Sequence, residues 1–337
     1  MKGMIVKMKQ SYYLYKSGRI QRKDNTLEIV YKDNTKKSIP IERVSDIYVM
    51  TEFDFNTSLM NFLGKYGINV HFFNYYGFYT GSYYPKESLV SGKLLVKQVE
   101  HYSNKKQRLE IAKAFIEAAS YNIYRNLTYY NNRGKDLIAH MKEIEYFRTQ
   151  IKICKDVQEL MGIEGNIRKV YYDCWNIIIN QEIAFEKRVK NPPDNAINSL
   201  ISYVNTIIYT RVLSEIYKTQ LNPTISYLHE PSEKRFSLCL DIAEIFKPII
   251  GDRLIFSMLN KMQITENDFE KGLNFLYIKD KARKEITKQL DMKLQTTIKH
   301  RTLNREVTYE YLIRLEIYKL IKHLIEDTPY EGFKMSW

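Results

Sequence analysis

What this chain lacks narrows it quickly. It holds no run of about 18 apolar residues, so no segment reads as a membrane-spanning helix. The opening residues, Met1-Lys2-Gly3-Met4-Ile5-Val6-Lys7, return to polar character too soon for a secretory signal, and a cytoplasmic location is the expectation. Cysteine is scarce. Cys154, Cys174 and Cys239 are odd in number and form no C-x-x-C, which excludes a disulfide frame and a thiolate zinc site. No internal repeat and no low-complexity tract occurs. Negative charge is short as well: 39 Asp and Glu face 52 Lys and Arg, a formal net charge of +13.

What is present completes the outline. With 337 residues, 44% of them hydrophobic, the chain is long enough to bury a sizeable core as one large or two ordinary domains. The basic balance favours a polyanionic partner, nucleic acid ahead of an anionic membrane. Part of that excess belongs to a composition rich in Lys, Ile, Asn and Tyr, the residues that A/T-rich coding over-supplies.

Periodicity divides the chain. Up to about residue 88 it reads as β-rich: Leu27, Ile29 and Tyr31 alternate with Glu28, Val30 and Lys32, the period of a half-buried strand. One helix, Thr57 to Tyr66, interrupts the pattern and is stopped by Gly67. Strands follow around Val70–Phe73 and Phe78–Ser82. From about residue 91 the period becomes helical. Leu109, Ala112, Ile116, Ala119, Ile123, Leu127 and Tyr130 form one apolar stripe, closed by Asn131-Asn132-Arg133-Gly134. Further helices are expected from Asn166 to Asn180, from a cap at Asp194 to Tyr217, and over a final stripe of Tyr311, Leu315, Tyr318 and Ile325. The expectation is an α+β protein of two domains: a β-sheet-rich 1–88 followed by a larger all-α 89–337.

Four residues of the helical part carry the chemistry. Asp241 and Glu244 lie three apart on one expected helix and share a face, His229 precedes them across a loop, and Glu164 comes from another helix. One imidazole with two or three carboxylates suits Mg²⁺ or Mn²⁺ and is a poor structural zinc site. Such an ion would polarise a phosphodiester and stabilise the charge that develops on it. Read from spacing alone, ordinary core and surface roles for the same residues remain open.

The words around these residues say more. Leu160-Met161-Gly162-Ile163-Glu164-Gly165-Asn166, Lys187-Arg188-Val189-Lys190-Asn191-Pro192-Pro193-Asp194-Asn195-Ala196-Ile197-Asn198, Tyr227-Leu228-His229-Glu230-Pro231 and Leu240-Asp241-Ile242-Ala243-Glu244 follow in that order. With Asn74-Tyr75-Tyr76-Gly77 and Tyr130-Asn131-Asn132-Arg133-Gly134, they resemble the CRISPR-associated protein one family over essentially the whole chain, and type I, subtype I-B members in particular.

The resemblance implies an N-terminal β-domain through which the protein dimerises and a C-terminal helical catalytic domain. It implies two such dimers around one dimer of CRISPR-associated protein two, acting on double-stranded and branched DNA. The metal ligands fall on Glu164, His229 and Glu244, with Asp241 a further catalytic acid beside them. The implied activity is that of a metal-dependent endonuclease and integrase. It inserts foreign-DNA spacers into a CRISPR array through attack of a 3′-hydroxyl on a phosphodiester. Arg168, Lys187, Arg188, Lys234, Arg235 and Arg253 are the residues expected to hold DNA. The alternatives are a DNA-binding scaffold of the same fold without catalysis, and a small-molecule metallohydrolase.

Overall fold

The computed structural model describes residues 9–85, 89–183, 185–190, 192–233, 236–272, 276–300, 302–326 and 328–336. Its contacts divide the chain into two compact units, Met1–Val90 and Ser91–Trp337.

In the first unit the alternating sequence builds strands β1 Gln10–Leu14, β2 Gly18–Lys23, β3 Thr26–Tyr31, β4 Lys36–Pro40, β5 Val44–Val49, β6 Phe53–Asp54, β7 Asn69–Phe73 and β8 Tyr79–Tyr83, with helix α1 at Thr57–Lys65. One sheet runs β1-β5-β7-β8, with the first three strands parallel and β8 antiparallel. The other runs β4-β3-β2-β6, antiparallel except at the β2–β6 edge. Leu27 and Ile29 of β3 are buried with Ile47 and Val70 of the other sheet and Leu59 of α1, so both sheets share one apolar core. Asn56 caps α1 by accepting from the Leu59 amide at 2.9 Å, and Gly67 follows with φ +65°, the left-handed stop that the sequence signalled.

The second unit is helical: α2 Gly92–Ser103, α3 Lys105–Asn131, α4 Ile138–Ile153, α5 Val157–Asp173, α6 Trp175–Ile178, α7 Ala196–Tyr217, α8 Ser237–Phe246, α9 Arg253–Asn260, α10 Asp280–Gln295 and α11 Tyr309–Glu326. It also carries two short antiparallel ribbons that periodicity did not indicate, β9 Phe269–Lys271 with β10 Leu276–Ile278, and β11 Thr297–His300 with β12 Arg305–Thr308. Helix α7 is apolar on nearly all sides and buried along most of its length, as a helix at the centre of a bundle must be. The stripe expected on α3 is buried from Ala112 to Leu127, its end residues Leu109 and Tyr130 are half-buried, and Gly134 follows that helix at φ +84°.

Three expectations shift. Helix α5 starts well before Asn166, because Asp156 caps it through the Glu159 amide at 2.8 Å while Leu160, Ile163 and Ile167 give it a buried face. The cap of α7 is Asn195, which accepts from the Asn198 amide at 2.9 Å; Asp194 instead accepts from the Asn198 side chain at 2.7 Å. On α11 the buried face is Leu312, Ile313, Ile317, Leu320 and Leu324, and Tyr318 and Ile325 are exposed. Aliphatic side chains take the core, and a tyrosine keeps its hydroxyl wet.

Between α8 and α9 the chain forms a π-helical turn, Lys247–Asp252, beginning next to Pro248. Proline has no amide hydrogen, so the regular ladder cannot pass through it. Two buried asparagines of α3 serve the carbonyls on either side. Asn122 Nδ2 donates to the Ile245 carbonyl at 3.0 Å, and Asn126 Nδ2 donates to the Pro248 carbonyl at 2.7 Å. Asn122 also donates to the Phe333 carbonyl at 3.0 Å and accepts from the Met335 amide at 2.9 Å, tying the C-terminal segment to the same turn.

Asn122→Ala would leave three buried backbone groups unpaired and should lower unfolding stability by about 3 kcal/mol. Urea denaturation checks this; a change below about 0.5 kcal/mol would show that the asparagine does not hold the turn.

Candidate metal centre

The motif around His229 folds into a loop built on one carboxylate. Asp241, with its side chain fully buried on α8, accepts from the amides of Tyr227 at 2.7 Å, Leu228 at 2.9 Å and His229 at 3.0 Å, and from His229 Nδ1 at 2.8 Å. A carboxylate offers about four lone-pair sites, and all are used. Asp241 thus holds the His229 imidazole from its Nδ1 side. With Nδ1–H donated to it, the imidazole keeps Nε2 as its free acceptor, the tautomer that metal-binding histidines use when a carboxylate stands behind them. The loop is held from outside as well. Arg108 of α3 donates to the Tyr227 carbonyl at 2.8 Å and pairs with Glu230 at 2.6 Å, and the Tyr102 hydroxyl donates to Glu230 at 2.9 Å.

Glu164 and Glu244 come together through a shared cation. Arg168, one turn after Glu164 on α5, donates to Glu164 Oε1 at 3.1 Å and to Glu244 Oε2 at 2.5 Å. Lys247 in the π turn reaches the other oxygen of Glu244 at 2.5 Å. Burial by itself would push the Glu244 carboxyl up. Lys247 and Arg168 override that and hold it well below the usual carboxylate range, with a smaller contribution from His229. Glu244 in turn raises Lys247 and Arg168 against the effect of their own burial. Glu164 and His229 keep about a fifth of their side-chain surface exposed, so the arrangement opens to solvent on their side.

Among the described residues, no three carboxylate, imidazole or thiol groups stand at ligand spacing around one point. The guanidinium of Arg168 bridges the two glutamates instead. In donor chemistry the set fits a hard divalent cation: oxygens from Glu164 and Glu244, and an imidazole whose far nitrogen is fixed by a carboxylate. The need of both glutamates for a positive charge is met here by protein cations.

The residues expected to hold DNA divide. Arg168 belongs to the charge cluster. Arg188 donates to Asn198 Oδ1 at 3.0 Å and Ser202 Oγ at 2.9 Å, while Asn198 donates to the Lys187 carbonyl at 3.0 Å, so this motif folds upon Asn198. The Lys187 side chain is exposed, and Arg253 stands over the Tyr129 ring at 4.5 Å. Lys234 and Arg235 lie outside the described residues. Lys247, a flanking cation that the sequence offers for phosphate, pairs with Glu244 three residues before it. No disulfide forms, and Cys154, Cys174 and Cys239 are free and buried. Among the described residues, no helix is long and apolar enough to cross a membrane.

Comparison with known proteins decides the family. The profile described as CRISPR associated protein Cas1 matches residues 12–292. This chain belongs to the Cas1 family. A CRISPR-associated endonuclease Cas1 from Fusobacterium nucleatum subsp. nucleatum is 60% identical over 332 residues, covering 98% of each chain. The solved structure of a Cas1 protein from Thermotoga maritima is 38% identical, with a TM-score of 0.85, over 96% of this chain and all of that one. A casposase bound to integration product shares the fold, with a TM-score of 0.83 at 20% identity over 98% of this chain and 96% of that one.

One more acid completes the electrostatics. Burial raises the Asp252 carboxyl, at the end of the π turn, to about 6 from an ordinary 3.8, against the pull of Arg168 and Lys247. A folded-state pKa above the unfolded one means that ionising Asp252 costs stability, a cost that appears as pH rises from about 4 and is complete above about 6. Asp252→Asn should therefore be more stable than the parent at pH 8, by about 1–3 kcal/mol, and the advantage should shrink at pH 4.5. Denaturation at both pH values measures it, and a pH-independent difference would contradict this account.

Proposed function

We propose that this chain is the endonuclease and integrase of CRISPR adaptation, inserting foreign-DNA spacers into a repeat array. The observation that carries the reading is the His229–Asp241 pair set beside the two glutamates that share Arg168, in a chain of the Cas1 family with a net charge of +13. The Fusobacterium relative, named an endonuclease, supports the nuclease half, and the casposase bound to integration product supports the integration half.

Glu164, His229 and Glu244 would hold Mg²⁺ or Mn²⁺. Once bound there, such an ion supplies Lewis-acid stabilisation of the charge that develops on a phosphodiester. The chain's own residues do the rest. Asp241 fixes the imidazole in the ligating tautomer. Arg168 and Lys247 place positive charge beside the reacting phosphate, where a 3′-hydroxyl attacks in integration and water attacks in cleavage. Residues 89–337 form the catalytic domain in this reading, and 1–88 the domain through which two copies dimerise. Two such dimers flank one dimer of CRISPR-associated protein two on double-stranded or branched DNA, in the cytoplasm.

The rival reading, a DNA-holding scaffold of the same fold without catalysis, leaves the retained Glu164, His229 and Glu244 without a purpose. A strand-transfer assay on a repeat-containing duplex with Mn²⁺ separates the two. The parent should join strands, and His229→Ala should lose at least about a hundredfold in rate while binding DNA as tightly. A parent that binds DNA but joins and cuts nothing supports the scaffold. Asp241→Asn, which keeps the shape but no longer compels Nδ1 to carry the proton, should fall about 10–100-fold, with apparent metal affinity weakened in parallel. Full activity in that variant would remove Asp241 from the account.

A further inference from the structure

After α11 the chain runs back along that helix as a segment without regular structure, residues 328–336. Its near end is fastened to α11. His323 Nδ1 donates to the Thr328 carbonyl at 2.8 Å, and the Tyr330 hydroxyl donates to the buried Glu316 at 2.5 Å. Lys319 bridges Glu316 and the Glu331 carbonyl at 2.6 Å each. The far end lies on α3 and α8. A Cβ on Gly332 would stand 2.5 Å from the Ala118 Cβ, 2.8 Å from the Ala114 carbonyl oxygen and 3.2 Å from the Ile245 Cδ1, so only glycine lets the backbone lie this close. The Phe333 ring stacks on Phe246, their centres 6.4 Å apart and their planes 8° apart. Asn122 engages the Phe333 carbonyl and the Met335 amide with the same side chain that serves the Ile245 carbonyl.

These contacts converge on Ile245 and Phe246, the residues that follow Glu244. The place matters because α8 passes there into the π turn at Pro248, where the backbone ladder is interrupted and the helix end has fewest bonds of its own. Glu244 and Lys247 keep their positions only if that end does not shift, since a ligating set must be held within about 0.5 Å of its working geometry. Bulk packing is a minor part of what the segment supplies. Of its described residues only Tyr330, Gly332 and Met335 are buried, while its polar contacts gather beside Glu244.

We infer that residues 328–336 form a positioning strap for the metal centre, in which Gly332 and Phe333 press the end of α8 against α3 and so set where Glu244 and Lys247 stand. The strap rests on the reading of Glu164, His229 and Glu244 as ligands and deepens it, because it names what holds the last of them. Neither strap residue is itself a ligand. Phe333 acts through Phe246, and Gly332 acts through Ile245.

The test compares the full chain with Phe333→Ala, Phe333→Tyr and Gly332→Ala. Mn²⁺ binding is titrated without DNA through the electron paramagnetic resonance signal of the free ion, and amide hydrogen exchange over residues 241–247 is followed without metal. In Phe333→Ala, Mn²⁺ should bind about tenfold more weakly and the end of α8 should exchange about tenfold faster. Strand transfer should fall at limiting Mn²⁺ and recover as Mn²⁺ is raised, while affinity for a blunt duplex changes less than about twofold. Phe333→Tyr keeps the ring and should match the parent in Mn²⁺ affinity and in exchange. Gly332→Ala sets a methyl group against Ala118 and serves if Phe333→Ala does not fold, with Mn²⁺ bound about threefold more weakly. In a parent that binds Mn²⁺, an affinity within about twofold in Phe333→Ala overturns the strap, and so does an equal loss in Phe333→Tyr. Unchanged exchange at α8 overturns it in any case. The two readings fail separately. A parent that binds no Mn²⁺, but whose Phe333→Ala variant exchanges faster at α8, sinks the ligand reading and keeps the strap's hold on that helix. Normal Mn²⁺ binding and exchange in Phe333→Ala do the reverse.

Discussion

A carboxylate taken out of water must find donors or cations, and the helical unit is arranged around three that do so in different ways. Asp241 is satisfied by three backbone amides and an imidazole, which turns the segment from Tyr227 to His229 into a fixed loop. Glu244 is satisfied by charge, from Arg168 on one side and Lys247 on the other. Asp252 is satisfied least, and it holds its proton to about pH 6. Position along the helical run decides among these outcomes. Asp241 faces the loop, Glu244 faces α5, and Asp252 closes a π turn in which Asn126 serves the Pro248 carbonyl.

The charge count of the centre bears on how it works. Glu164 and Glu244 are balanced by Arg168 and Lys247, while Asp241 and, above about pH 6, Asp252 add negative charge beside them. In the proposed function a divalent ion would offset that negative charge and leave the site able to accept a phosphodiester. That role is in keeping with a net charge of +13 for the whole chain.

Legibility followed how local the cause was. Strand β3 was readable because Leu27 and Ile29 face one side, and the α3 stripe because one period ran unbroken over several turns. Helix ends set by a single glycine, Gly67 and Gly134, were readable too. Misses arose where two local answers competed. Asp194 and Asn195 are both good caps, and only the placement of Asn198 against Lys187 and Arg188 selects Asn195. Helix α11 offers two apolar stripes one residue out of phase, and packing chose the aliphatic one. A helix starting near Asn166 was the expectation, whereas burial of Leu160 and Ile163 carries α5 straight through Gly162 and Gly165.

The sequence by itself determined the two-part organisation, the absence of a long apolar span and the order of the motif residues. These depend on composition and on spacing within a single segment. Only the tertiary structure decided that Asp241 receives three backbone amides and the His229 imidazole, that Arg168 joins glutamates from two helices, and that Lys247 belongs to the same cluster. Those facts depend on which lone pair faces which proton across segments far apart in the chain. A one-dimensional pattern cannot specify that, because the distance between two side chains on different helices is fixed by the packing of everything between them.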